Sequence, residues 1–397
     1  MPKLTIDNRE VEVPPGTKII EAAAQLGILI PRFCYHPALG PVGACRVCAV
    51  KVLEGPPRTT GIQMSCMADA HDGMVVSTTD ADAVDFRRHI IEFLMLNHPH
   101  DCPVCDEGGH CLLQDMTVSG GHGIRRFKGK KRTHHDQDLG PLLQHEMNRC
   151  IQCYRCVRFY REFAGGTDLG VMGIASRVYY GRCRDGMLES PFSGNLADIC
   201  PTGVFTDKPS RYKGRRWDFE RAPSVCIHCS LGCHTVVCSR YREVVRQEAR
   251  FSPEINGYFI CDRGRQGFCY ASSPDRPRQA GIDGKASTVD AAAGEARKRL
   301  ERIRDSFGRS AVGVVGSLRS SLESQGALKA ACKTRGWQGP AFFRDAREAA
   351  CVSAAVSGMG RETALSLADL SRADLVVILG ADPVNEAPMA ALAMRQA

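Results

Sequence analysis

Apolar and polar residues alternate in two short runs at the start of the chain, KLTID (3–7) and REVEV (9–13). A period of two across both runs predicts a β-hairpin. The spacing then turns helical: TKIIEAAAQLG (17–27) reads as a helix capped by Thr17 and stopped by Gly27. Alternation returns in TVVCSRYREVVRQEA (235–249), a second hairpin. From Pro274 the pattern is α/β. AAGEARKRLERIRDSF (292–307) predicts a helix, AVGVVGS (311–317) a strand entering a glycine turn, and ADLVVILGADP (373–383) a strand entering a loop, with Leu375–Leu379 suited to a buried strand. No apolar run approaches the roughly 18 residues of a spanning helix, and the first residues form no apolar signal segment. The expectation is a cytoplasmic protein.

Twenty cysteines in 397 residues change the picture. A reducing compartment does not use them as disulfides, so metal ligation becomes the working assumption. Fifteen of them fall into four sets. Cys34, Cys45, Cys48 and Cys66 have one distant cysteine, a C-x2-C pair and a later fourth, as in plant-type [2Fe–2S] ferredoxins but with a longer first gap. Together with the preceding hairpin and helix they suggest a β-grasp ferredoxin, with Gly40 and Gly43 leaving room for the loop around the cluster. NHPHDCPVCDEGGHCLLQD supplies Cys102, Cys105 and Cys111, three thiolates only. The fourth ligand is then one of His98, His100 and His110, and spacing does not choose among them. An imidazole in place of a thiolate makes a cluster less negative and raises its potential.

The third set begins at RCIQCYRCVRFY (149–160), where Cys150, Cys153 and Cys156 open a bacterial-ferredoxin run whose fourth cysteine position holds Tyr160. Counting back from Cys200–Pro201, a second run would need cysteines at positions that hold Ser190, Ser193 and Leu196. In two-cluster ferredoxins the fourth cysteine of each run serves the other cluster. Cys200 therefore completes the cage begun by Cys150, and all four ligands of the second cluster are gone. The spacing predicts a two-cluster ferredoxin fold that retains one [4Fe–4S] centre. The fourth set is Cys226, Cys229, Cys233 and Cys261, whose x2-x3 triple suits iron–sulfur better than a zinc ribbon. Cys183 is read as structural and Cys238 as packing. The net charge of +8, and the basic stretch RRFKGKKR (125–132), could suggest nucleic acid. Only one aromatic residue, Phe127, stands in it, however, short of an interleaved pattern, and four anionic clusters summing to about −7 would absorb the charge.

With these residues in hand, the chain resembles the large iron–sulfur subunits of bacterial NADH:quinone oxidoreductase, respiratory complex I, and HPHDCPVCDEGGHCLLQD carries the resemblance most strongly. The resemblance implies His98 as the histidine ligand beside Cys102, Cys105 and Cys111. It implies one [2Fe–2S] and three [4Fe–4S] clusters, no molybdopterin, and no catalytic residues in the chain. The fold it implies is α+β and multidomain. A β-grasp [2Fe–2S] ferredoxin domain would cover 1–78, a small helical His/Cys3 domain 79–140, and a [4Fe–4S] ferredoxin-like domain lacking one cluster 141–218. A molybdopterin-oxidoreductase-type [4Fe–4S] domain would follow over 219–275, and the incomplete N-terminal part of an α/β domain over 276–397. Partners would be an NADH-binding flavoprotein subunit and other peripheral-arm subunits, with the membrane reached only through the complex, on the cytoplasmic side of the inner membrane. Electrons would pass the first, third and second sets in turn, with the fourth off that route. Rival readings are the large subunit of an NAD-linked formate dehydrogenase or an iron-only hydrogenase, which usually keep both ferredoxin clusters, and a zinc-rich binding protein.

Overall fold

The computed structural model describes every residue except Gly121, His122, Arg125 and Arg361, so the first residue of RRFKGKKR lies outside the described residues. The chain forms two compact units, one of residues 1–269 with 367–397 and one of residues 270–366.

In the first unit, strands β1 (Lys3–Ile6) and β2 (Arg9–Glu12) form the expected hairpin. They join β3 (Ala49–Glu54), β4 (Gly61–Met64) and β5 (Val75–Ser77) in a sheet of order β2-β1-β5-β3-β4. The β1–β5 pair is parallel and the others antiparallel. Helix α1 (Ile19–Gln25) packs Ile19, Ile20, Ala22 and Ala23 into a core with Leu4, Ile6, Val50, Val52 and Val76. Its N-cap is Lys18 rather than Thr17: the Lys18 N–H donates to the Glu21 carboxylate at 3.1 Å, while the Thr17 hydroxyl donates to the Pro14 carbonyl at 2.8 Å. Gly27 follows with φ +72, the left-handed stop that glycine accepts without strain. Gly40 and Gly43 also have positive φ, and a Cβ at Gly40 would meet open space. Conformation, not room, is what calls for glycine at Gly40.

Two helices follow, α2 (Ala81–Met95), capped by the Asp80 carboxylate, and α3 (Leu112–Gly120). The pair Leu143–His145 and Phe205–Asp207 brackets the third cysteine set. Glu220–Val225, His234–Arg240 and Glu243–Ala249 form an antiparallel sheet containing the second expected hairpin, and Cys238 is buried in it.

In the second unit the expected helix runs from Val289 to Phe307, capped by Thr288, and strand Gly313–Gly316 pairs in parallel with Gln338–Phe342. Two expectations fail. Leu375–Leu379 is not a strand: no ladder takes up its backbone, and Leu375, Val377, Ile378 and Leu379 are exposed. Alternation of burial needs a neighbouring strand, and none pairs here. The stretch read as one α/β body over 276–397 is also divided, because the helix Pro388–Gln396 buries Met389 and Leu392 in the core of the first unit. Cys183, read as structural, is exposed, as are Cys269 and Cys351, while Cys332 is buried.

Four cysteine-lined sites as candidate metal centres

The loop 34–48 and the turn after β4 bring the first set together. The Cys48 and Cys66 sulfurs are 3.4 Å apart, and the Cys34 N–H donates to Cys45 Sγ at 3.5 Å. Hydrogen bonds from Cys45 and Cys66 pull the Cys34 thiol down, and those same bonds push Cys45 and Cys66 up. All four are buried. Arg46, between two of them, takes φ +56, an uncommon left-handed conformation for an arginine.

Cys150, Cys153, Cys156 and Cys200 line one small cavity with Ile151, Tyr154, Val204 and Phe205. Burial raises every one of these thiols, Cys153 to about 12. Left unligated they would stay protonated, and a bound cation is what makes them thiolates. Gln152 (φ +54) and Tyr154 (φ +63) turn the loop left-handed twice. Tyr160, where a ligand of the other cluster would stand, is fully buried; its hydroxyl donates to Asp168 Oδ1 at 2.5 Å and accepts from the Ser190 N–H at 3.1 Å. Ser190, Ser193 and Leu196 are buried beside it, so the lost site is packed protein.

Among the three histidine candidates, His98 is buried and His100 exposed. His98 Nδ1 is buried without a hydrogen-bond partner, and burial, then the charges of His100 and Arg149, lower its pKa to about 4. His110, next to Cys111, likewise has both ring nitrogens buried without a hydrogen-bond partner, its Nε2 lying 3.2 Å from Glu107 Oε1. Cys105 and Cys111 are buried and raised by that burial. In the fourth set Cys226, Cys229 and Cys261 all act on Cys233 electrostatically, and Cys261 Sγ accepts from the Gly264 N–H at 3.3 Å. A Cβ on Gly264 would sit 3.3 Å from Cys226 Sγ and 3.5 Å from Cys261 Sγ, so the glycine backbone approaches both sulfurs closely.

One backbone device recurs. The Gln152 N–H donates to Cys150 Sγ at 3.3 Å, and the N–H groups of Val47, Glu107, Leu113, Arg155, Thr202 and His228 each pull down the thiol two residues before them, against the burial that raises it. Such N–H groups stabilise thiolate charge and tune whatever the sulfurs bind. Among the described residues no three donors converge closely enough for one isolated metal ion. A polynuclear cluster has no such requirement, because its ligands reach different metal atoms. Thiol sets, N–H groups beside the sulfurs, and the buried partnerless imidazole nitrogens of His98 and His110 together fit iron–sulfur clusters.

The sites are also neighbours. One buried cluster holds Cys34 and Cys45 of the first set, Cys111 of the second and Cys153 of the third, with Phe33, Ile91 and Ile151 between them. A second holds Cys156 and Cys200 with Cys226, Cys233 and Cys261. The third set therefore shares a core with each of the other three. The segment Cys200–Gly203 serves two sites: the Pro201 carbonyl lies 3.7 Å from Cys111 Sγ, and a Cβ on Gly203 would fall 2.7 Å from Cys105 Sγ.

Three family models match the chain: a 2Fe-2S iron-sulfur cluster binding domain over 2–81, the NADH-ubiquinone oxidoreductase-G iron-sulfur binding region over 87–126, and the NADH-quinone oxidoreductase subunit 3 ferredoxin-like domain over 140–206. These spans contain the first, second and third sets. The G subunit of the NADH-quinone oxidoreductase of Pseudomonas putida is 48% identical over the whole of this chain, and those of Shewanella oneidensis and Escherichia coli are 46% identical. Over its full length the chain is similar to these G subunits. It spans 43–44% of their own length. A solved NAD+-reducing [NiFe]-hydrogenase in the H2-reduced state is 28% identical with a TM-score of 0.49, covering 54% of this chain and 90% of its own. Sequence reading missed the residues that join the sites, Arg149, Arg155 and Gly203, whose roles depend on contacts with distant segments.

Proposed function

We propose that this chain carries iron–sulfur clusters of an NADH:quinone oxidoreductase and relays single electrons from an NADH-oxidising flavoprotein partner towards quinone. The observation that carries the reading is the third cysteine set, which shares one buried core with the first and the second and another with the fourth. That adjacency supports electron exchange among the first three sets, with the fourth reached through the third; the order first, third, second is the one the resemblance implies. In this reading Cys34, Cys45, Cys48 and Cys66 hold a [2Fe–2S] cluster in a β-grasp domain. His98, Cys102, Cys105 and Cys111 hold one [4Fe–4S] cluster, Cys150, Cys153, Cys156 and Cys200 a second, and Cys226, Cys229, Cys233 and Cys261 a third.

When bound, the clusters supply one-electron redox chemistry and leave every bond of the polypeptide intact. The residues of the chain do the rest. Thiolates and one neutral imidazole fix cluster type and net charge, N–H groups two residues beyond the cysteines bear on the sulfurs, and apolar side chains exclude water. No Gly-rich dinucleotide fingerprint follows a strand, so hydride chemistry belongs to a partner. Among the described residues no helix is long and apolar enough to cross a membrane, in keeping with a peripheral place on the cytoplasmic side of the inner membrane, held through the complex. The test is anaerobic reconstitution of the chain with iron and sulfide counts and low-temperature EPR. One binuclear and three tetranuclear centres are expected; a colourless chain loaded with zinc would overturn the reading.

A further inference from the structure

Among the described residues three arginines are buried, and two of these have carboxylate partners. Arg265 pairs with Asp198 at 2.6 Å, and Arg149 with Asp101 at 2.9 Å and with Glu146. Arg155, 6% exposed, has none: among the described residues no carboxylate oxygen lies within 4.0 Å of its guanidinium. Its Nε is buried without a partner. One terminal nitrogen donates to the Tyr35 carbonyl at 2.7 Å, next to Cys34; the other donates to the Ile199 carbonyl at 3.5 Å, next to Cys200. The groups of opposite sign that act on its charge are the thiols of Cys153, Cys200 and Cys45.

Burying a cation away from any anion is costly, and carbonyl dipoles alone offset little of that cost. Folding would select a neutral side chain here unless the occupied sites supplied the missing negative charge. Thiolate-ligated clusters are anionic, and each becomes more negative by one on reduction. A fixed positive charge between two such cages favours the reduced form of both, and in a low-dielectric core it acts unscreened by salt. We infer that Arg155 is a potential-setting residue shared by two cages, raising the reduction potentials of the centres at Cys34/Cys45/Cys48/Cys66 and Cys150/Cys153/Cys156/Cys200 together. The inference rests on the cluster assignment proposed above.

A purely structural alternative exists: Arg155 is a latch tying the Tyr35 carbonyl, just after Cys34, to the segment before Cys200. Charge separates the two readings. The test compares Arg155→Gln and Arg155→Lys in the full chain, loaded anaerobically, by EPR-monitored redox titration at low and high salt. In Arg155→Gln both potentials are expected to move down at either salt level, with the centres at His98 and Cys226 moving less. In Arg155→Lys, which keeps the charge and loses one arm of the latch, both are expected to stay near the wild-type values. If Arg155→Gln takes up no iron, a loaded Arg155→Lys with wild-type potentials still supports the charge. Equal shifts in the two variants, or loss of clusters from both, would overturn the inference. A wild-type chain without iron and sulfide overturns the cluster assignment itself, whereas a loaded Arg155→Gln with unmoved potentials overturns the inference alone.

Discussion

His98 is kept neutral by its surroundings. Burial, with His100 and Arg149 adding to it, holds the imidazole at about 4, so at neutral pH it offers a lone pair rather than a charge. His98→Cys should therefore preserve that centre and lower its potential, because a thiolate adds one negative charge. His98→Ala should abolish it. Redox titration with EPR decides, and an unaltered spectrum in His98→Ala would strike His98 from the ligand set. At this scale much of the site was legible beforehand: cysteines two or three residues apart advertise themselves by spacing. Spacing left His98, His100 and His110 open; burial sets His100 aside, while His98 and His110 both carry buried ring nitrogens without a partner, so His98 is the ligand the resemblance implies. Arg155 was equally hidden, since its meaning lies in carbonyls more than forty residues away in either direction.

Strand Leu143–His145 illustrates how an element near the third site is secured. His145 Nδ1 accepts from the Gln137 N–H at 3.1 Å, which leaves Nε2 to donate to the Tyr180 carbonyl at 3.0 Å. That pattern needs the neutral ring, and burial lowers its pKa below the usual 6.5. The folded state thus binds fewer protons than the unfolded one. The resulting stability is complete above about pH 6.5 and is lost as pH falls from there towards the folded-state pKa. The unfolding free energy of the wild type from urea titrations should drop across that window relative to His145→Gln, by at most about 1.4 kcal/mol per pH unit. Parallel curves would show that His145 carries no such linkage. The hairpins and the helix Val289–Phe307 could be read from periodicity because their signal is local. Leu375–Leu379 could not, since an apolar run records only that burial is wanted, not that a neighbour is present to provide it.

For the whole molecule, the return of residues 367–397 to the first unit is the least predictable feature. Leu392 is buried against the core that contains Phe159 and Cys261, while Leu375 is 80% exposed. Leu392→Ala should cost about 2–4 kcal/mol in denaturant unfolding, and Leu375→Ala close to nothing. Equal costs would place the segment elsewhere. No pattern in the sequence announces that these residues cross back after an intervening unit; only long-range packing does.

The stretch Cys200–Gly203 has an outcome for biogenesis. A single short run of backbone forms walls of two neighbouring cages, so filling one orders the backbone that the other requires. Maturation of the pair should be concerted: native mass spectrometry during iron loading should find chains with both filled or both empty, and few in between. Gly203→Ala, which drives a methyl group into Cys105 Sγ, should break this concert and leave the cage of Cys150 occupied alone. A broad population of half-filled wild-type chains would mean that the two cages mature independently.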